Sequence, residues 1–147
     1  MQTRRIAGAL ALTLLIAAPA SAVEVQGMRD FVALQGRYAP GGNCDRLPRF
    51  EVNAAGIRFE VSAGQFEQAS SLEYAASYGG YDYEGPTQWF FPFGRDGNYP
   101  VLMAFNADEV TDKVSIEPHD EGAAAGPEQS AHLRTLVSAS PYSRCRS

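Results

Sequence analysis

RFEVNAAGIRFEV, residues 49–61, is the stretch of this 147-residue chain that decides the fold. Polar and apolar side chains alternate through Arg49–Asn53 and again through 57–61, which is the two-residue period of a β-strand with one wet face. Gly56 lies between the two runs and can adopt the positive φ that a tight hairpin often needs. The stretch therefore predicts an antiparallel hairpin. Its buried face carries Phe50, Val52, Ile57, Phe59 and Val61, and its wet face carries Arg49, Glu51, Arg58 and Glu60.

Strand-like runs continue on the C-terminal side of this hairpin. Segment 67–78 alternates apolar and polar residues and favours a strand, although its alanine pair would also suit a helix. An aromatic run at 87–93 and a continuous apolar run at 101–105 predict a second hairpin, and the second of these strands is expected to be buried on both faces. Segment 113–117 alternates again and predicts a further strand.

The two ends of the domain are less regular. Residues 23–30 predict an irregular lead-in, and 31–38 predict either a strand or a helical turn. Apolar residues at helical spacing predict a helix over 128–138, with Pro127 in its first turn and Pro141 as its stop. We therefore expect a mainly β fold. It is a small antiparallel meander barrel or curled sheet of about six to seven strands, with one C-terminal helix.

Residues 1–22 have the three-part layout of a secretory signal peptide. A basic start precedes an uncharged apolar run at 6–18, and an Ala-Ser-Ala pattern ends at Ala22. The alternative is a membrane anchor, but the run is shorter than the roughly 17 to 25 residues of a spanning helix. We expect cleavage after Ala22, a periplasmic or secreted location, and a single β-rich mature domain of residues 23–147 without a membrane span.

The expected mature domain is acidic. Both arginines of the predicted signal leave with it and no acid does, so the net charge changes from −5 for the whole chain to −7. Lys113 is the single lysine, and the sequence offers no basic stripe for phosphate groups. We therefore expect no binding of nucleic acid, and no binding to anionic lipid through surface charge.

Cys44 and Cys145 are the two cysteines of the chain. An even pair in an oxidising compartment predicts a disulfide. The bond would close a loop of about 100 residues and tie the C-terminal tail to the early part of the domain. The alternative is a reactive thiol or a metal ligand, but no third cysteine and no Cys-x-x-Cys motif supports it.

The sequence contains no recognisable catalytic motif. Gly-x-Ser-x-Gly and the phosphate-binding glycine patterns are absent, so we assign no catalytic residue, no metal ligand and no cofactor. His119 and His132 are expected to face solvent or to cap an element, with catalysis in a hydrolase as the alternative. Oxygen-bearing side chains cluster at 106–112, where we expect a solvated acidic turn and keep a weak calcium site as the alternative.

YGGYDYEG, residues 78–85, is the strongest candidate for contact with a partner. Its acids would need partners in a buried strand, so we expect a loop that displays its tyrosines, and tyrosine is common at recognition surfaces. The alternative is a loop whose tyrosines fold back over the sheet. Arg46 and Arg49 are a second candidate, because a guanidinium can grip a carboxylate. The predicted contact residues are Tyr78, Tyr81, Asp82, Tyr83, Glu84, Arg46 and Arg49, whereas Trp89, Phe91 and Phe93 are expected in the core.

These patterns favour an exported, non-enzymatic binding domain. Its partner would be a protein or a small ligand, and an inhibitor of a hydrolase is the specific version that a small rigid domain with a prominent loop suits best. The first alternative is a small secreted hydrolase that uses His119 or His132. The second alternative is an envelope-associated structural protein.

Overall fold

The computed structural model of the protein describes residues 22–94, 98–119 and 129–146. Ten β-strands and one α-helix lie in these ranges. The strands are β1 Val23–Gln26, β2 Gly36–Pro40, β3 Arg49–Asn53, β4 Gly56–Ser62, β5 Gln65–Ala69, β6 Ser71–Tyr74, β7 Gln88–Phe91, β8 Val101–Phe105, β9 Lys113–Pro118 and β10 Tyr142–Arg144. The helix is α1, Ala131–Ser138, and two short 3-10 turns span Val32–Leu34 and Ala107–Glu109.

All ten strands belong to one antiparallel sheet, whose order is β1-β6-β7-β8-β9-β10-β2-β3-β4-β5. Only Ser70 separates β5 from β6, although β5 stands at one end of this order and β6 next to the other. The sheet therefore curls until its two ends approach each other at Ser70, where the Gly27 N–H donates to the Ser70 carbonyl at 2.7 Å. The result is a half-barrel.

The expected mainly β, antiparallel, curled architecture with one C-terminal helix is confirmed, but the expected number of strands and the simple meander order are wrong. Two meanders, β2–β5 and β6–β10, are joined through the β10–β2 pair, and β1 adds to β6. The irregular lead-in contains β1, and the C-terminal tail contains β10. Strands of three or four residues carry too little periodicity to be recognised alone, and these two exist because of their pairing partners.

The hairpin of β3 and β4 is confirmed in register. Phe50 pairs with Phe59, and Val52 pairs with Ile57. Gly56 has a φ of 133°, and a Cβ there would lie 2.1 Å from the Ala69 carbonyl oxygen. Only glycine fits this position, because both the backbone conformation and the close approach of β5 exclude a side chain.

The main core lies on the inner face of the curled sheet. Tyr38 stacks on Phe50 with ring centroids 5.0 Å apart, and Phe90 meets Phe105 edge to face at 5.6 Å. Such aromatic pairs add to the free energy gained by burying their area. The largest fully buried side chains are Tyr38, Tyr142, Phe59, Phe90, Phe105, Met28, Ile57, Leu72, Met103, Ile116, Leu136 and Val52.

A second, smaller cluster lies across the β6–β7–β8 region. Phe91 and Leu102 are buried in it, and Trp89 and Tyr99 pack against it from partly exposed positions. β8 is buried on both faces, as expected, because its alternate residues serve the two clusters. Phe93, just after β7, packs on the main core instead. The candidate loop packs against this cluster, because the Tyr78 and Tyr83 rings contact Trp89.

The C-terminal helix packs against β4 and β9. Ser130 caps α1, because its side chain accepts a hydrogen bond from the Leu133 N–H at 3.2 Å. Leu133 and Leu136 enter the main core. The predicted helix is thus confirmed, but it begins at Ala131 rather than at residue 128. Pro127 lies outside the described residues, as do residues 1–21 of the predicted signal peptide at 1–22.

The predicted disulfide is confirmed. Cys44 and Cys145 are bonded, with their Cα atoms 5.6 Å apart. The neighbouring Arg144 fastens the same region, because its Nε donates to the Asp112 carboxylate at 2.5 Å and its Nη2 donates to the Ala33 carbonyl at 2.7 Å. The tail is therefore held by a covalent bond and by charge-assisted hydrogen bonds.

Candidate functional site

The candidate loop connects β6 to β7 and is built from consecutive turns. Backbone N–H groups of Tyr78, Gly80 and Tyr83 donate to carbonyls three residues earlier, at 3.2, 2.9 and 3.3 Å. The loop therefore supports its own backbone. The acids at 82 and 84 lie on the exposed part of it, as expected for residues without buried partners.

Tyr83 forms the base of this loop. Its ring meets Trp89 edge to face at 5.0 Å, and its hydroxyl oxygen accepts a hydrogen bond from the Thr87 N–H at 3.0 Å. Two glycines allow this close packing. A Cβ at Gly85 would lie 2.1 Å from the Tyr83 hydroxyl oxygen, and one at Gly79 would lie 2.6 Å from the Trp89 ring. Tyr83 thus holds the two ends of the loop against the second cluster.

Tyr81 forms the tip, and its side chain is 89% exposed. The C-terminal end of the loop is tied to the neighbouring turn, because the Asn106 side chain donates to the Pro86 carbonyl at 3.1 Å and the Thr87 hydroxyl donates to the Asn106 carbonyl at 2.8 Å. An exposed aromatic tip therefore stands on a fixed base. The sequence left two alternatives, a loop that displays its tyrosines or a loop whose tyrosines fold back over the sheet. Each holds for one residue, because Tyr81 is displayed and Tyr83 folds back.

Tyr78 lies beside a pocket of about 280 Å³. The His119 ring lies 4.7 Å from Phe91 and 5.9 Å from Tyr78, measured between centroids. Tyr99 completes the aromatic wall, and its hydroxyl donates to Glu73 at 2.6 Å. This hydrogen bond, together with burial, raises the pKa of Tyr99. The lining residues are Ala22, Ala75, Ser77, Tyr78, Phe91, Tyr99 and His119.

Sequence reasoning did not find this pocket, because its walls come from residues far apart in the chain. Only the β6–β7–β8–β9 pairing brings the loop, Tyr99 and His119 together. His132 lies elsewhere, on the exposed face of α1, with its Nδ1 4.0 Å from a Glu67 carboxylate oxygen. The two histidines that the sequence grouped as one alternative therefore belong to different surfaces.

Arg46 and Arg49 lie away from the loop, on a different part of the sheet. Arg46 precedes β3, and Arg49 is the first residue of β3. Arg49 donates from Nε to Glu60 at 2.7 Å and from Nη1 to the Cys44 carbonyl at 2.6 Å. Arg46 is exposed. The Arg49 guanidinium makes these hydrogen bonds within the protein. They hold the disulfide-bearing segment on the sheet. Its contact with a partner stays a prediction, as does that of Arg46.

Glu60 is buried at the centre of this clamp. The Gly64 N–H, which donates to it at 3.1 Å, and the Arg49 guanidinium hold the pKa of the Glu60 carboxyl below its usual value. A carboxyl whose pKa is lowered by folding stabilises the protein above its unfolded-state pKa, and this contribution is lost as the pH falls through the folded-state value.

We therefore expect Glu60→Gln to be less stable than the wild type at pH 7 and to lose less stability on acidification. Thermal unfolding between pH 7 and pH 3 measures both effects. Glu51→Gln is the matched control, because Glu51 is exposed on the same face and no hydrogen bond of its side chain is seen in the described residues. Equal acid slopes for the wild type and Glu60→Gln would contradict the assignment.

Two of the three acids in the turn before β9 form ion pairs within the chain. Asp108 pairs with Lys113, and Asp112 pairs with Arg144 at 2.5 Å. Asn106 accepts a hydrogen bond from the Asp112 N–H at 3.0 Å. Over residues 22–94, 98–119 and 129–146, no group of three His, Cys, Asp or Glu residues is arranged to hold a metal ion. The two ion pairs and the Asn106 hydrogen bond therefore stabilise the turn.

The described elements define a disulfide-closed, curled β domain with an aromatic loop whose tip residue, Tyr81, is exposed. Comparison with protein-family models, with curated proteins and with solved structures found no match. In the described ranges, no helix combines the length and the apolar character that a membrane crossing requires.

Proposed function

We propose that the chain is an exported, periplasmic or secreted, non-enzymatic binding domain that holds its partner through the loop around Tyr81. One observation carries the proposal: an 89% exposed tyrosine stands at the tip of a loop whose base is fixed by Tyr83. A fixed loop loses little conformational entropy on binding, and tyrosine supplies a large contact area with few rotatable bonds.

The interior of the half-barrel is filled with side chains. This supports the proposal that a partner binds at the outer surface. Large aromatic side chains occupy the space where an open barrel would hold a ligand. A protruding, preorganised loop suits an inhibitor that enters the cleft of a hydrolase, and this remains the specific version of the proposal. A small ligand bound beside Tyr78, in the pocket with His119, is the other version.

Tyr81→Ala is expected to weaken partner binding on the order of 30-fold or more, the effect of losing an aromatic hot spot, without changing the fold. The measurement is recovery of proteins from an extract of the compartment to which the chain is exported, with bait below the dissociation constant. Val32→Ala is the control, since Val32 is a 70% exposed apolar residue outside the loop. Equal recovery of every partner by the wild type and Tyr81→Ala would show that the loop does not bind the partner through Tyr81.

A small hydrolase is the second candidate, favoured by one observation. Ser77 and His119 line the same pocket, so a hydroxyl and an imidazole are available at one surface. Turnover of an ester, peptide or glycan substrate that persists after loss of both histidines would exclude this version. An envelope-associated structural protein, the third candidate, predicts neither a tight partner nor turnover.

A further inference from the structure

The charged face of β2–β5 forms a basin on the outside of the half-barrel. Arg37 lies opposite Glu51 in the strand register, and Glu51 lies opposite Arg58. These side chains, with Arg49, Glu60 and Phe66, line a basin of about 380 Å³. A volume of this order suits a single small molecule.

The three arginines of this basin differ in what they hold. Arg49 is engaged by Glu60 and by a backbone carbonyl. Arg37 and Arg58 are exposed, and across the described ranges neither guanidinium has a salt bridge or a hydrogen bond. The guanidinium N–H groups of Arg37 and Arg58 are therefore available to donate hydrogen bonds to a ligand.

Arg58 is held in place by an aromatic ring. Its guanidinium carbon lies 3.7 Å above the centroid of Phe66, which is itself 51% exposed. A guanidinium stacked in this way keeps its N–H groups in the plane of the fork, where a carboxylate can accept two parallel hydrogen bonds. Stacking also reduces the entropy that Arg58 would lose on binding.

The charge of the basin contrasts with that of the chain. Because Arg49 neutralises Glu60, the basin retains two unpaired arginines against the single carboxylate of Glu51, whereas the whole chain carries −5. Arg37 and Arg58 stand on strands two positions apart, roughly 10 Å by the usual strand spacing. A ligand that contacts both arginines therefore needs hydrogen-bond acceptors at two separated positions.

We propose that this basin binds a small sugar-acid-like molecule, with its carboxylate on Arg58, its ring beside Phe66 and a hydroxyl on Arg37. The site lies on different strands from the loop around Tyr81 and goes beyond the function proposed above.

Glu51 is the residue that separates a binding site from a purely structural row of charges. If the row of charges served only the sheet, Glu51→Gln would not improve binding. If the basin is an anion site, Glu51→Gln removes a repelling charge and tightens it.

The test is an NMR titration of the folded, exported chain with D-glucuronate, with D-glucose as the neutral control and inorganic phosphate as the general anion. We expect saturable shifts at residues 37, 58 and 66 with glucuronate and none with glucose. Affinity should fall at least about tenfold in Arg58→Gln, rise in Glu51→Gln, and stay unchanged in Arg29→Gln, an exposed arginine outside the basin.

Three results would overturn the inference. They are the absence of saturable shifts with glucuronate, equal shifts with glucose, and phosphate binding as strong as that of glucuronate at the same signals. Unchanged spectra elsewhere show that each variant is folded. Loss of this site would leave the capture experiment with Tyr81→Ala unaffected, so the two proposals fail separately.

Discussion

Replacement of both Cys44 and Cys145 by serine is expected to lower the free energy of unfolding by about 2 to 5 kcal/mol. The bond joins residues 101 positions apart. In the chain-entropy model a loop of this size contributes about 4.7 kcal/mol by restricting the unfolded chain, an upper value for the effect. A domain of this size has a total stability of about 5 to 15 kcal/mol, so the loss is large.

Urea unfolding of the oxidised protein, the reduced protein and the double-serine variant measures this effect. The reduced protein is the control, because it loses the bond while it keeps both side chains. A loss below about 1 kcal/mol in both forms would show that the hydrogen bonds of Arg144 and the β10 pairings hold the tail without the disulfide.

Phe50→Ala is expected to cost about 3 to 5 kcal/mol. Phe50 is 2% exposed and lies on β3, next to β2, the strand through which the two meanders are joined. Its ring stacks on Tyr38 at 5.0 Å and meets Tyr142 at 5.2 Å, so truncation removes aromatic pairs and leaves a cavity between β3 and β10. The lower free energy of unfolding would be measured as a lower denaturant midpoint in chemical unfolding.

Phe66→Ala is the matched control for that change, since the same atoms are removed from a residue that is 51% exposed. We expect it to cost less than about 1 kcal/mol. If the two variants lost the same stability, the interior of the half-barrel would not be the site of the main core.

The hairpin of β3 and β4 could be predicted because its information is local. Alternation fixes which face of each strand is buried, and Gly56 fixes the turn. Strands β1 and β10 could not be predicted in this way. Their existence depends on pairing with β6 in one case and with β2 and β9 in the other, and these partners are distant in the chain.

The candidate loop could be found from composition, but the roles of its tyrosines could not. Tyr81 and Tyr83 stand in similar local sequence, and only the contact of Tyr83 with Trp89 and Thr87 separates an exposed tip from a fixed base. Arg49 shows the same limit of local reasoning. It resembles a free surface arginine in the sequence, yet it is engaged by Glu60 from the paired strand.

The central claim is that Tyr81 touches a partner, and site-specific photo-crosslinking tests it most directly. A benzophenone amino acid replaces Tyr81 in the chain, and the exposed turn residue Ala63 is replaced in the control. We expect a discrete light-dependent adduct with one protein from position 81 and none from position 63. No adduct from position 81, or the same adduct from both positions, would contradict it.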